Sequence, residues 1–130
     1  MMPAMTRFVT IIALLLFAGA ATAQPLLNAK YRLPAAAFAY VGDPQAPASW
    51  KLPYRHADGT VDRRRLPLAI EAALGTYRGQ QAHIPAAALP DVLIRLAGAA
   101  KEIGKLPPHR TTTPYRKLAA ALRARGLRID

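Results

Sequence analysis

The side chains able to do chemistry are few. Ser49 is the only serine in the chain, His56 follows seven residues later, and Asp58 and Asp62 lie just beyond. A serine, a histidine and an acid are the parts of a nucleophilic hydrolase, because the imidazole takes the hydroxyl proton and the carboxylate orients the ring. The setting argues against that use. No Gly-x-Ser-x-Gly turn surrounds Ser49, and Asp58 belongs with Gly59 to a turn. His56, His83 and His109 have no partner at the i, i+4 spacing of a helical metal site, and no glycine-rich loop is present to cradle a phosphate. Neither a metal nor another cofactor is expected.

What remains is cationic. Arg55, Arg63, Arg64 and Arg65 stand close in sequence to Trp50 and Tyr54, and these six residues are the candidate ligand-binding set. Guanidinium groups grip carboxylates and phosphates with two parallel donors, while aromatic rings supply stacking or apolar area. Three arginines at a helix start also oppose the helix dipole, which favours a role for them outside folding.

Composition agrees with a basic binding surface. The 130-residue chain carries 18 Lys and Arg against 7 Asp and Glu. Arg7 precedes an apolar run from Phe8 to Ala18, and Ala21-Thr22-Ala23 supplies small residues, so residues 1–23 read as a signal peptide cleaved before Gln24. Cleavage would remove one arginine and no acid, leaving 17 basic residues against 7 acidic and a formal balance of +10. The expected location is therefore periplasmic or secreted, with an acidic protein or anionic polymer as partner. Nucleic acid does not suit that compartment, and contact with a membrane surface stays open as an alternative. The chain has no cysteine, so packing rather than disulfides must hold it together.

The elements that position these groups follow from prolines, glycines and apolar spacing. Pro44, Pro47 and Pro53 break up the stretch after Phe38, leaving short extended pieces on either side of a proline-rich loop. A helix is expected from about Leu66 to Gly75, its first turn reaching back to an Asp62 cap, with Leu66, Ile70 and Leu74 on one face and Ala73 and Tyr77 in support. Residues 77–84 read as a polar connector. A second helix starts at Pro90 and carries the stripe Val92, Leu93, Leu96, Ala100 and Ile103 until Gly104. A third, basic helix is capped by Thr113 and stopped by Gly126, with Tyr115, Leu118, Ala119 and Leu122 as its apolar face.

The segments Phe38-Ala39-Tyr40-Val41-Gly42-Asp43-Pro44 and Trp50-Lys51-Leu52-Pro53-Tyr54, followed by a helix opening Leu66-Pro67-Leu68-Ala69-Ile70, carry a resemblance. Their order over about residues 36–105 resembles a small uncharacterised bacterial and prophage-type domain, some copies of which accompany capsid-maturation proteases. The resemblance implies an accessory or recognition module and brings no catalytic residue with it.

The expected architecture is mainly α. A tail over residues 24–34 leads into a core domain at 35–105, where a proline-rich irregular segment packs on two antiparallel helices, and residues 106–130 add the basic C-terminal helix. Trp50, Tyr54, Leu66, Ile70, Leu74, Leu93, Leu96 and Ile103 are the expected core, with the indole of Trp50 lodged against the helical pair. The function expected is that of an exported, non-enzymatic binding protein. The alternatives are a small hydrolase using Ser49 and His56, or a peripheral membrane binder that attaches through the C-terminal helix.

Overall fold

The computed structural model describes residues 26–75 and 83–129. The signal-peptide segment, Tyr77 and most of the 77–84 connector lie outside the described residues. Two short strands, β1 (Phe38–Tyr40) and β2 (Lys51–Pro53), precede three helices, α1 (Arg65–Ala73), α2 (Leu89–Glu102) and α3 (Thr113–Ala124).

The strands correct the expected fold class. β1 and β2 pair antiparallel, with Phe38 opposite Pro53 and Tyr40 opposite Lys51, so the fold is a mixed α/β arrangement rather than a mainly α one. Prolines allow this because Pro53 ends its strand, where the missing amide costs the ladder little. An isolated bridge between Arg55 and Val61 extends the pairing beyond the strands and closes the Asp58-Gly59 turn.

Each helix follows from its sequence. In α1 the buried residues Leu66, Ala69, Ile70 and Ala73 fall at the i, i+3, i+4, i+7 spacing of one helix face. Asp62 caps the lead-in turn: its Oδ1 accepts hydrogen bonds from the amides of Arg64 (3.0 Å) and Arg65 (3.1 Å), and the Leu66 amide donates to the Asp62 carbonyl at 2.9 Å. Pro67 is the third residue of α1, in the first turn, where an amide has no acceptor inside the helix and its absence costs little. In α2 the stripe widens to Val92, Leu93, Leu96, Ala97, Ala99 and Ala100. Both α2 and α3 end on a glycine in left-handed conformation, Gly104 at φ 67° and Gly126 at φ 68°. The next amide then reaches back to satisfy a free carbonyl: Lys105 to Ala100 and Leu127 to Leu122, each at 2.9 Å. Thr112, not Thr113, precedes the first residue of α3.

Packing produces two apolar clusters. The larger holds the buried faces of all three helices together with Ala39, Leu52 and Tyr54. α1 packs on α2, α3 and β2, while α2 also packs on β1 and α3. The smaller cluster contains Leu33, Ala37, Phe38 and Trp50, with Tyr31, Ala35 and Val41 against it.

Trp50 therefore does not plug the helical pair. Its ring lies 5.6 Å from that of Phe38, and its Nε1 donates to the Asp43 carbonyl at 2.8 Å. Between Trp50 and Tyr54, Leu52 has a φ of 64°. This left-handed geometry breaks the pleat, so Leu52 and Tyr54 join the helices while Trp50 faces the N-terminal segment. Of the other expected core residues, Leu74 and Ile103 are only half-buried at the margin.

The N-terminal segment is held by Asn28, the one buried polar residue among those described. Its Nδ2 donates to the Pro47 carbonyl at 2.8 Å, and its Oδ1 accepts from the amides of Lys30 and Tyr31, both at 3.0 Å. The Asn28 amide donates to the Leu33 carbonyl at 2.9 Å, and the Arg32 amide to the Asn28 carbonyl at 2.7 Å. These bonds fold residues 28–33 into a loop whose wall faces α1.

Candidate functional site

The six candidate binding residues do not form one exposed cluster. Trp50 and Tyr54 are buried, at 4% and 5% exposure, so neither ring is open to stack on a ligand. Arg55 is committed to Glu102 at the end of α2: Nη1 donates to Oε2 at 2.9 Å and Nη2 to Oε1 at 3.2 Å, while Nη1 also donates to the Gly59 carbonyl at 2.9 Å. Hydrogen bonding to Glu102 holds the guanidinium protonated above its usual range. Its Cζ also lies 5.1 Å from the centre of the Tyr54 ring. Arg55 thus ties the 55–61 turn to α2.

The remaining arginines are differently placed. Arg63 and Arg64 are exposed, and neither shares an ion pair with an acid among the described residues. Arg65 is half-buried, with Nε 3.6 Å from Asp62 Oδ2 and Cζ 4.8 Å from the centre of the Tyr31 ring. Lys30 Nζ is 5.3 Å from that same ring centre. One phenol ring therefore gathers a cation from the N-terminal loop and another from α1. Lys30 and Tyr31 escaped the sequence reading because residues 24–34 carry no clear apolar period, and only the fold brings them to Arg65.

Beside this pair of cations lies an open groove of about 920 Å³. Leu27 and Tyr31 form one wall and Leu68, Ala69 and Ala72 of α1 the other, with Trp50 and Leu52 in the floor. Lys30, Lys51 and Arg65 line it as well, so cations stand next to an otherwise apolar surface. Leu27 and Leu68 are large apolar side chains left exposed, at 50% and 45%.

The residues weighed for catalysis are used locally. The Ser49 hydroxyl donates to the Ala46 carbonyl at 2.7 Å and accepts from the Asp43 amide at 3.0 Å, which closes the loop between the strands. His56 Nδ1 lies 3.8 Å from Asp62 Oδ2, and no hydrogen bond joins His56 to Ser49 among the described residues. The Asp58 carboxylate accepts from the hydroxyl (2.6 Å) and the amide (3.0 Å) of Thr60, and these bonds hold it below the usual carboxylate range. No group of three or more His, Asp or Glu able to hold a metal occurs among the described residues.

On α3 the apolar face is spent on the core: Tyr115, Leu118 and Leu122 are buried, whereas Arg116, Lys117, Arg123 and Arg125 are exposed. Burial pushes the Tyr115 phenol above its usual pKa. Among the described residues, no helix is long and apolar enough to cross a membrane. Compared with protein-family models, curated proteins and solved structures, the chain matches none of them.

Proposed function

We propose that the protein is an exported, non-enzymatic binding protein whose arginine-rich face holds an acidic protein or anionic polymer. The observation that carries this reading is the gathering of Lys30 and Arg65 on the Tyr31 ring, next in sequence to the exposed Arg63 and Arg64. Folding gains little from bringing like charges together, so an anion that neutralises them stabilises the bound state. Asp62 cannot do this alone, because its Oδ1 caps α1 and its Oδ2 is near both Arg65 and His56.

Reversal of two exposed charges tests the proposal. Polyglutamate serves as the probe, and the double variant Arg63→Glu, Arg64→Glu should bind it about tenfold or more weakly than the parent chain. Both side chains are exposed, so circular dichroism should be unchanged. Equal affinity of parent and variant would remove the arginine face from the account.

A further inference from the structure

The groove between the N-terminal loop and α1 has a chemistry that an acidic polymer does not use. Its volume of about 920 Å³ lies in the range of roughly 300–1,000 Å³ typical of small-molecule sites. We infer that it is a binding site for a single-chain amphiphile with an anionic head, of the long-chain carboxylate class, whose tail lies along Leu27, Leu52 and Leu68 and whose head meets Lys30, Lys51 and Arg65. This inference goes beyond the polymer-binding reading: it shares Lys30 and Arg65 with that reading but rests on the apolar groove.

The polar groups along the groove decide between an acyl chain and a peptide. A peptide buried there would need partners for its amides and carbonyls, since an unpaired backbone group out of water is costly. Several of its lining residues offer none. Pro47 and Pro53 have no amide proton, and the amides of Ala69 and Ala72 lie inside α1. The carboxamide of Asn28 spends its donor on Pro47 and its acceptor on two loop amides. Trp50 Nε1 is held by the Asp43 carbonyl. A hydrocarbon tail asks for none of these bonds and gains from covering Leu27 and Leu68, which water otherwise reaches.

The cations of the lining select the head by charge. Lys30 and Arg65 share the Tyr31 ring, and Lys51 is held in place by donating to the His83 carbonyl at 2.6 Å. Three cations and no acid line the groove, so a carboxylate is attracted there and a quaternary ammonium repelled.

Dodecanoate below its micelle concentration is the probe, added to the purified chain while Trp50 emission and heat of binding are followed. Saturable binding at one site with a change in Trp50 emission is expected, and dodecyltrimethylammonium should bind at least about tenfold more weakly. Leu68→Asn puts a polar, uncharged side chain on an already exposed position of the wall and should weaken dodecanoate about tenfold or more while leaving polyglutamate binding intact. Unchanged circular dichroism shows that the variant is folded, and retained polyglutamate binding separates this site from the arginine face. Three results would each overturn the inference: no saturable dodecanoate binding, equal binding of the cationic analogue, or binding only to phosphatidylglycerol vesicles and not to the monomer.

Discussion

Replacing Asn28 by alanine removes the hydrogen bond that ties the N-terminal loop to Pro47 and two more that shape the loop itself. The side chain is 6% exposed and makes three hydrogen bonds, one to Pro47, 19 residues away, and two to the amides of its own loop. At a net worth of about 0.5–1.5 kcal/mol each, three such bonds give roughly 2–4 kcal/mol. The groups left behind lower that figure. The Pro47 carbonyl keeps the Trp50 amide as a donor, at 3.2 Å, and the exposed position of Lys30 lets water replace one lost acceptor. The expected loss is therefore about 2 kcal/mol. Because the loop covers Phe38 and Trp50, its release should also admit water to the indole. Urea denaturation followed by both circular dichroism and Trp50 emission measures the two effects together. Asn28→Ala should lower the midpoint and red-shift native emission. A stability loss below about 0.5 kcal/mol with unchanged emission would refute the claim that this carboxamide organises the loop.

Further outcomes follow from the core and the surface. Leu93→Ala empties a fully buried position between α2 and its neighbours and should cost about 3–5 kcal/mol in denaturant titration, as Ile70→Ala should in α1. Asp62→Ala removes the cap of α1 and should cost about 1 kcal/mol, whereas Asp62→Asn should cost less, because its carbonyl oxygen still accepts the Arg64 and Arg65 amides. Glu102→Gln should cost less than about 1 kcal/mol despite the two-pronged geometry, since the carboxylate is half exposed and solvent screens the pair. The Tyr115 phenol has a raised pKa in the folded state, so its contribution to stability is present below its ordinary value of about 10 and is lost as pH rises through the folded value. Tyr115→Phe should therefore show a shallower decline in alkaline stability than the parent, and an identical decline would count against burial as the cause.

The helices were legible because their signals are local. Leu66 and Ile70, Leu93 and Leu96, and Tyr115, Leu118 and Leu122 repeat at helical spacing, and Gly104 and Gly126 mark the ends where a left-handed residue is needed. The sheet was half legible: Phe38–Tyr40 and Lys51–Pro53 read as extended pieces, but nothing in their composition shows that they pair. Trp50 was misplaced because the size of an indole argues for burial but not for which cluster buries it, and the positive φ of Leu52 that separates the two clusters is a tertiary outcome rather than a preference of leucine. The candidate site was legible as charge and illegible as shape. Arg63 and Arg64 stay exposed, but Arg55 is drawn off by Glu102, 47 residues away. Lys30, Tyr31 and the groove wall depend on the bonds of Asn28, a residue no local pattern singles out.

The salt dependence of polyglutamate binding tests the functional account most directly. Raising salt from roughly 50 to 200 mM should weaken the affinity progressively, with log K falling linearly against log salt because the arginines displace the counterions held by the polyglutamate. An affinity that stays level across that range would contradict the account.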